Sequence, residues 1–305
     1  MTILTKHVSQ RLHDSPITNG REWEIPQVLL TPDSRTYFID TDGSFWRAIA
    51  FIEGVQTFNT IQDHNHGYEI GYALGTFHTL ISDLRLEELA DTLPGFHITP
   101  SYLKQYADVK AKYTVPTQCP EVDFCCKFIS ARANWAHVLE NAINQGQLHL
   151  RPIHGDPKIN NVMINTSTNK AVSIIDLDTV KPGLVHYDIG DCLRSSCNPL
   201  GEETQSWKEV FFDIDVCEFV LSGYLSIAQE FLTDNDYKYI YDAIRLITFE
   251  LGLRFFTDYL AGDIYFQVKY PEQNLARALV QFKLTSSIES QEEKIRQAIL
   301  DLKLS

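Results

Sequence analysis

A short polar segment near the middle of the chain carries the residue types that phosphoryl transfer requires. It reads HGDPKINN over residues 154–161, and a second acidic segment, DLD over residues 176–178, follows an apolar run. Transfer from a nucleotide needs a carboxylate that orients and deprotonates the attacking hydroxyl, and oxygen ligands that fix magnesium on the phosphates. Magnesium prefers such oxygen donors. The spacing therefore predicts that Asp156, Asn161 and Asp176 converge on one site, with His154 holding the loop.

Two other interpretations of the same residues remain open at this point. A polar loop with an Asx-turn at Asp156 would need no function, but it leaves unexplained why carboxylates close a β-branched strand at Asp176. A hydrolase metal cluster is compatible with the ligand types, and it would use His154, Asp156, Asp176, Asp178 and His186. That cluster gives Asn161 no role, so phosphoryl transfer is favoured.

The elements expected around this loop are short strands and long helices. Residues 148–153 read as a strand, and residues 162–164 and 172–175 as a hairpin,. Aromatic and β-branched runs separated by turns predict an antiparallel meander over residues 28–52. Apolar spacing predicts helices over residues 2–13, 123–144, 204–230, 236–260, 272–284 and 288–302. Gly71 and Gly75 share a helical face, which predicts the close approach of another element. A small β-rich part before a large helical part predicts an α+β fold with two lobes.

Composition excludes several classes of partner. The 305 residues carry a net charge of −14 and are 44% hydrophobic, which is ordinary for a globular enzyme with a sizeable core. An acidic surface repels nucleic acid and anionic lipid, so neither is predicted as a partner. We find no apolar run that could span a membrane and no signal peptide, and the six cysteines match no zinc pattern,. We therefore expect a cytoplasmic protein with reduced thiols.

At these residues the sequence resembles the aminoglycoside phosphotransferase and choline kinase superfamily, and more closely N-acetylhexosamine 1-kinase and its relatives. The resemblance covers most of the chain and rests on residues 46–53, 154–163, 175–184, 188–191, 251–255, 258–266 and 274–277. It implies a protein-kinase-like two-lobe fold, with residues 1–55 as a β-rich N-lobe and residues 56–305 as a helical C-lobe. It also implies ATP and Mg²⁺ as cofactors, and transfer of the γ-phosphate to the anomeric hydroxyl of an N-acetylhexosamine.

The resemblance also assigns roles by position in the catalytic loop. It makes Asp156 the catalytic base, and Asn161 and Asp176 the metal ligands. Asp188 and Asp191, further along the chain, are expected to support the loop through hydrogen bonds rather than to take part in the chemistry.

The binding residues that the resemblance implies lie at both ends of the chain. In the helical lobe, Arg254 and Tyr265 resemble residues that contact the sugar. An arginine supplies forked donors for hydroxyl or amide oxygens, and a tyrosine offers a flat apolar face with a polar tip. The adenine of the nucleotide would lie near the strand that ends at Phe51 and Glu53, where backbone groups would bind it.

The sequence departs from the family pattern before residue 53. A kinase of this type needs a glycine-rich hairpin over the phosphates and a lysine on the third strand. Neither is present, since Gly20 and Gly43 stand alone in turns. We therefore expect a truncated N-lobe and reduced catalysis, because phosphate clamps are worth orders of magnitude in rate. An exposed sheet edge would also favour a homo-oligomer.

Two alternative functions follow from these departures. One is a catalytically impaired pseudokinase that binds a sugar without phosphorylating it. The other keeps the kinase and changes the acceptor to choline, homoserine or an aminoglycoside, with Asp178, Asp258 or Asp263 forming an acidic pocket for the cation. Arg254 disfavours a cationic acceptor, so the sugar stays the first choice.

Overall fold

The computed structural model describes residues 1–14, 18, 20–112 and 119–304. In this part of the chain the helices are α1 (Thr2–Asp14), α2 (His64–Ile81), α3 (Thr99–Lys112), α4 (Pro120–Arg132), α5 (Val138–Asn144), α6 (Val185–Ser196), α7 (Ile214–Ala228), α8 (Asp234–Ala261), α9 (Gln273–Ser290) and α10 (Glu292–Leu304). The strands are β1 (Val28–Leu29), β2 (Phe38–Ile39), β3 (Phe45–Trp46), β4 (Ala48–Ile49), β5 (Val55–Gln56), β6 (Arg151–Ile153), β7 (Val162–Asn165), β8 (Ala171–Ile174) and β9 (Lys181–Gly183).

The first four strands form one hairpin nested inside another. β2 pairs with β3 and β1 pairs with β4, both antiparallel, so the predicted meander, in which each strand pairs with the next, is wrong. The inner turn is closed by Asp40, whose carboxylate accepts hydrogen bonds from the backbone N–H groups of Asp42 (3.0 Å) and Ser44 (2.9 Å). Tyr37 and Phe45 stack across it with ring centroids 4.9 Å apart. These contacts stabilise the inner hairpin of β2 and β3. β1 and β4 lie outside this hairpin and pair with each other.

Apolar side chains on these strands face solvent. The exposed ones are Leu29, Leu30, Phe38, Ile39, Phe45, Trp46 and Phe51. The homo-oligomer and the lobe division at residue 55 stay predictions.

The predicted catalytic hairpin is confirmed. β7 and β8 pair antiparallel over residues 162–174, with a bulge between Met163 and Ile164, and β5 adds to the free side of β7. A separate pair, β6 with β9, brings Ile153 opposite Lys181. The segments that follow β6 and β8 therefore lie next to each other, and these segments carry Asp156 and Asp176.

Most predicted helices are confirmed, and one is interrupted. Local spacing predicts a continuous helix over residues 123–144, but α4 ends at Arg132 and α5 begins at Val138. Between them Trp135 packs against Phe249, with ring centroids 5.2 Å apart, and under the guanidinium of Arg245 at 4.1 Å. Tertiary packing of one large side chain thus overrides the helical preference. Two further helices, α3 and α6, were not predicted from the apolar spacing.

The helices share one hydrophobic core with the N-terminal segment. Leu4 and Val8 of α1, together with Trp23 and Ile25, belong to the same buried cluster as α2, α7, α8 and α9. α8 is the longest helix, at 28 residues, and packs against α3, α6, α9 and α10. In the part of the chain that the structure describes, no helix combines the length and the apolar character needed to cross a bilayer.

Candidate active site

The candidate catalytic loop begins directly after β6. Gly155 has a φ of +89°, a backbone conformation that favours glycine. A Cβ atom there would lie 2.6 Å from the carbonyl oxygen of Thr179, so only glycine lets the two segments pack this closely. Thr179 in turn donates its hydroxyl to the carbonyl oxygen of His154 at 2.8 Å. The loop that contains Asp156 is therefore fixed against the segment that follows Asp176.

Two buried side chains hold the backbone of this loop. The carboxylate of Asp188 accepts hydrogen bonds from the backbone N–H groups of His154 (2.6 Å) and Gly155 (2.8 Å). His154 Nε2 donates to the carbonyl oxygen of Ile175 at 2.8 Å, and its Nδ1 accepts from the backbone N–H of Asp156 at 3.2 Å. This pattern requires a neutral ring protonated at Nε2, and burial lowers the pKa of His154 in agreement,. His154 and Asp188 thus support the loop, as the sequence predicts.

Asp156 lies between groups of opposite charge. The ammonium of Lys158 is 2.8 Å from Asp156 Oδ2. Burial raises the pKa of Asp156, and the negative charge of Asp191 raises it further, while Lys158 opposes both,. The pKa of Asp156 therefore lies above the ordinary value for an aspartate, which makes its carboxylate a stronger proton acceptor.

Asp191 is buried behind Asp156 and is held by an arginine. Its Oδ1 accepts hydrogen bonds from Nε and a terminal nitrogen of Arg194, both at 2.8 Å. Burial alone would raise the pKa of Asp191, but Arg194 holds it below the ordinary value. The second oxygen, Oδ2, is buried and has no hydrogen-bond partner among the described residues. Asp191 is thus a fixed negative charge next to the loop, and the prediction that it supports the loop through hydrogen bonds is wrong, because its only hydrogen-bond partner among the described residues is Arg194.

In the described part of the chain, Asn161 and Asp176 have side-chain oxygen atoms without a protein partner. Asn161 Nδ2 donates to the backbone carbonyl oxygen of Asp156 at 2.7 Å, and the carbonyl oxygen of Asn161 accepts from the backbone N–H of Ile175 at 2.8 Å. This orientation leaves Asn161 Oδ1 without a hydrogen bond within the described chain. Asp176 is exposed, has a left-handed backbone (φ 63°, ψ 51°), and its carboxylate makes no ion pair there. One amide oxygen and one free carboxylate are a donor set that fits Mg²⁺.

A cavity of about 340 Å³ opens on the outer side of Asp176. It lies between residues 49–52, at the end of β4 and just after it, and the hairpin residue Met163. Phe51 is 84% exposed and lines the cavity, whereas Glu53 is exposed and lies outside its lining. The predicted adenine-binding strand ends earlier than expected, at Ile49, so Phe51 and Glu53 lie in the segment that follows it, and of the two only Phe51 borders the cavity.

One ion pair connects the N-terminal strands to this cavity. Arg47 lies between β3 and β4, and its two terminal nitrogens contact the two oxygens of Asp178 at 2.7 and 2.6 Å. The hydrogen bonds from Arg47 hold the pKa of Asp178 below its ordinary value. Both residues line the same cavity as Asp176. Asp178, whose role the sequence left open, is thus committed to Arg47.

A second cavity, of about 360 Å³, opens on the inner side of Asp156 and is called the acceptor cavity below. It brings Asp156 together with the two predicted sugar-contacting residues, Arg254 and Tyr265. Its lining contains four carboxylates and four lysine or arginine side chains, which are Asp156, Asp191, Glu202, Glu250, Lys158, Arg194, Arg254 and Arg277. The charges balance, so the cavity is not an acidic pocket.

Three residues one helical turn apart on α8 connect the parts of this cavity. Glu250 accepts hydrogen bonds from Nδ1 of His97 (2.9 Å) and from Thr99 (2.7 Å). Arg254 follows four residues later at the cavity wall. Asp258, four residues further, accepts hydrogen bonds from three successive backbone N–H groups, at 264–266, and from the side chain of Asn274. Asp258 thus holds the loop that carries Tyr265.

The carboxylates proposed for a cationic acceptor are all engaged. Asp178 is paired with Arg47, and Asp258 binds the backbone of the loop 264–266. Asp263 accepts a hydrogen bond from Asn274 Nδ2 at 2.9 Å. None of the three is therefore left to form an acidic pocket.

The hydrolase metal cluster is not assembled. Both ring nitrogens of His154 are used within the loop, and His186 Nε2 bonds to the backbone carbonyl oxygen of Asp236 at 2.9 Å. The carboxylate of Asp178 forms an ion pair with Arg47. Across residues 1–14, 18, 20–112 and 119–304, no three His, Cys, Asp or Glu side chains are grouped so that they could hold a metal ion.

Three residues next to the site were missed in the sequence. Lys158 could have been found, because it follows Asp156 by two residues in the same loop. Arg47 was noticed only as part of a motif. His97 donates Nε2–H to the carbonyl oxygen of Gly155 at 2.9 Å, 58 residues away in sequence. Both nitrogens of His97 face acceptors, and although burial alone would lower its pKa, Glu250 raises it above the ordinary value. Nothing local in the sequence indicates that contact.

The small antiparallel strands, the large helical part and the loop–hairpin–Asp arrangement define a protein-kinase-like phosphotransferase. Residues 6–207 match the phosphotransferase enzyme family known as APH. The chain belongs to this family, and the predicted α+β, protein-kinase-like fold class is confirmed.

Three solved structures illustrate the likeness. An aminoglycoside phosphotransferase from Alicyclobacillus acidocaldarius is 14% identical with a TM-score of 0.62, over 97% of this chain and 85% of that one. A choline/ethanolamine kinase family protein from Mesorhizobium loti is 13% identical with a TM-score of 0.56, over 99% and 83%. The GDP complex of aminoglycoside 2'-phosphotransferase-IIIa is 13% identical with a TM-score of 0.52, over 92% and 81%. At these identities the likeness concerns the fold.

Proposed function

We propose that this protein transfers the γ-phosphate of ATP to the anomeric hydroxyl of an N-acetylhexosamine. The observation that carries the proposal is the position of Asp156. It lines a charge-balanced cavity together with Arg254 and Tyr265, and its backbone is hydrogen-bonded to Asn161, beside the segment that carries Asp176. A base, an acceptor cavity and two metal-compatible oxygens are the parts that phosphoryl transfer needs.

In this proposal Asp156 acts as the catalytic base. The acceptor hydroxyl would donate a hydrogen bond to the Asp156 carboxylate and give up its proton there as its oxygen bonds to phosphorus. The bond between phosphorus and the bridging oxygen of ATP breaks, and ADP leaves with that oxygen. The raised pKa of Asp156 favours proton uptake,. Lys158, 2.8 Å from this carboxylate, offers a positive charge near the transferred group.

Asn161 and Asp176 would hold Mg²⁺ through Oδ1 and a carboxylate oxygen. A magnesium ion supplies positive charge against the β- and γ-phosphates when it is bound. Asn161 is oriented for this task by its hydrogen bond to Asp156. Asp176 is oriented by the left-handed backbone at the end of the hairpin.

The nucleotide would occupy the 340 Å³ cavity outside Asp176. Phe51 offers an exposed aromatic face to a base,, and Glu53, just beyond, is proposed to contribute backbone groups only. Arg47 lines this cavity as one half of an ion pair with Asp178, so its charge is already balanced there.

The charge of the acceptor cavity supports a neutral acceptor. Two of the fold relatives are an aminoglycoside phosphotransferase and a choline/ethanolamine kinase family protein, and the substrates in those names are cations. Here the carboxylates are balanced by as many cations, and Asp178, Asp258 and Asp263 are engaged elsewhere. A sugar hydroxyl and an amide carbonyl suit the donors of Arg254, and the ring of Tyr265 suits a sugar face.

The proposal is tested by incubating the protein with ATP, Mg²⁺ and a set of N-acetylhexosamines, and measuring sugar 1-phosphate by phosphorus NMR. Asp156→Asn should lower kcat roughly 100- to 10,000-fold. Asp301→Asn, at an exposed position on α10, is the matched control and should keep full activity. An Asp156→Asn variant as active as the wild type would refute the assignment.

The same samples separate the proposal from the pseudokinase alternative. Calorimetry that detects sugar binding and no ATP binding, with no product formed, would favour the pseudokinase. A choline, homoserine or aminoglycoside phosphate formed in preference to a sugar phosphate would instead change the acceptor and keep Asp156 as the base.

A further inference from the structure

A third cavity adjoins the acceptor cavity, and Asp156 is not among its lining residues. It measures about 470 Å³ and lies between α3, the end of α8 and the loop that follows α8; we call it the side cavity. Five residues line both cavities, which are Leu93, Phe96, Arg254, Tyr265 and Phe266. The side cavity is therefore separated from the acceptor cavity by one layer of side chains. Its volume is within the range of small-molecule sites.

The side cavity offers an apolar interior. Nine of its fourteen lining residues are aliphatic, aromatic or proline. Its polar residues are largely committed: Thr257 donates to the carbonyl oxygen of Leu253 at 2.7 Å, and Thr92 donates to that of Asp178 at 3.0 Å. Asp258 is saturated by the backbone of the following loop. An apolar group is the occupant that loses least on leaving water for such a cavity.

Arg254 forms the boundary between the two cavities. Its guanidinium lies 4.9–5.8 Å from the ring centres of four aromatic residues, which are Phe96, Tyr102, Tyr265 and Phe266. In the described part of the chain it makes no hydrogen bond and no ion pair. Five N–H donors are thus held between aromatic rings with no protein acceptor. An uncharged carbonyl oxygen of a ligand can accept hydrogen bonds from these N–H groups while the rings stay in place.

We propose that the side cavity binds the acyl chain of an N-acylated amino sugar, with Arg254 donating to the amide carbonyl oxygen. This inference rests on the proposed sugar kinase function and names a substrate class for it. The sugar ring occupies the acceptor cavity with its anomeric hydroxyl at Asp156, the amide lies at Arg254, and the chain extends past Phe96 into the side cavity. The preferred acceptors then carry acyl chains longer than acetyl.

The test compares N-acetyl, N-butanoyl and N-hexanoyl forms of the same hexosamine. Each buried methylene is worth a factor of about four in binding, so the two added by butanoyl should lower KM roughly 15-fold while kcat changes little. Ala261→Phe fills the side cavity from the end of α8. It should abolish this gain, so that the N-acetyl and N-butanoyl forms have similar KM values in the variant. Val109→Phe fills the cavity from α3, and is the second variant if Ala261→Phe fails to fold.

The possible outcomes separate the two proposals. Turnover of the N-acetyl sugar without any gain from longer chains overturns the side-cavity proposal and leaves the kinase proposal standing. The side-cavity proposal is overturned in the same way if the gain survives in a folded cavity-filling variant. If no hexosamine of any chain length is phosphorylated or bound, the proposed function fails, and the side-cavity proposal fails with it.

Discussion

At the scale of single residues, the proposed role of Asp156 as the base depends on how two neighbours act on its carboxylate. Asp191 raises the pKa of Asp156 and Lys158 lowers it. Because Asp156 must be deprotonated to accept a proton, the rate should fall as the pH drops through its raised pKa. Asp191 therefore moves the lower pH limit of activity to higher pH, and Lys158 moves it to lower pH.

Replacing each neighbour should move this limit in a predictable sense. Asp191→Asn removes a negative charge, which lowers the pKa of Asp156 and moves the acidic limb of kcat/KM to lower pH. Lys158→Met removes a positive charge, moves the limb to higher pH, and also slows the reaction roughly 10- to 100-fold. The measurement is kcat/KM against pH, with Asp123→Asn, exposed on α4, as the control. Shifts of the same sign in both variants would contradict these opposing roles.

The site was predictable from the sequence only where its residues are local. The Asp156, Asn161 and Asp176 triplet lies within 21 positions, and a loop followed by a hairpin fixes its members near one another. His97 reaches Gly155 from 58 positions away with an unusual φ of +66°. No periodicity or motif reports such a contact, because it depends on how α8 and the segment before α3 pack.

At the scale of elements, α2 and α7 cross in close contact through glycines. A Cβ at Gly71 would lie 1.8 Å from the carbonyl oxygen of Val220, and a Cβ at Gly223 would lie 1.9 Å from that of Tyr68. Both contacts are with backbone, which cannot move aside without separating the helices. The close approach that Gly71 and Gly75 predict in the sequence is therefore confirmed.

Adding one methyl group at this crossing should be costly. Gly71→Ala and Gly223→Ala are each expected to lower the free energy of unfolding by about 1–3 kcal/mol, the usual cost of overpacking. Gly67→Ala is the matched control on the same helix, since its Cβ would lie 3.5 Å from the nearest side-chain atom. Its better helix propensity should leave stability unchanged or slightly higher. Chemical denaturation checks all three, and equal stability of Gly67→Ala and Gly71→Ala would show that the crossing is not sterically limited.

Elements with strong apolar periodicity were predictable, and those decided by packing were not. α1 and α8 follow their patterns to within two residues, whereas α7 begins ten residues later than predicted, α9 ends six residues later and α10 begins four residues later. The break between α4 and α5 follows from the packing of Trp135 on Phe249 and Arg245, which are more than 100 positions away. The nested hairpin of β1–β4 depends on the turn at Asp40, where side-chain bonds to the backbone select the pairing.

At the scale of the whole molecule, stability should respond to a half-buried acid that does not line the acceptor cavity. Burial raises the pKa of Glu140 to about 7, and only Oε1 has a partner, the hydroxyl of Tyr187 at 3.2 Å. The folded-state pKa is above the unfolded one, so the folded state binds more protons between these values. This contribution to stability is complete below the unfolded pKa and is lost as the pH rises through about 7.

Glu140→Gln should remove this dependence. We expect the loss of stability between about pH 5 and pH 8 to be smaller in the variant by about 1–2 kcal/mol, a value reduced from the full shift because the side chain is partly exposed. Thermal unfolding at several pH values measures it. Glu293→Gln, at an exposed position on α10, is the control and should follow the wild type. A Glu140→Gln curve parallel to the wild type would show that this acid is not responsible.

The spacing of Glu250, Arg254 and Asp258 along α8 separates two kinds of support: one for the candidate catalytic loop and one for the loop that borders the acceptor cavity. Glu250 reaches the catalytic loop through His97, whereas Asp258 holds the 264–266 loop by backbone N–H groups, which every amino acid except proline possesses,. The identities of the side chains at 264–266 are thus free of that structural duty. Mutational libraries at these positions are a direct route to enzymes of altered acceptor range, with the reaction centre untouched.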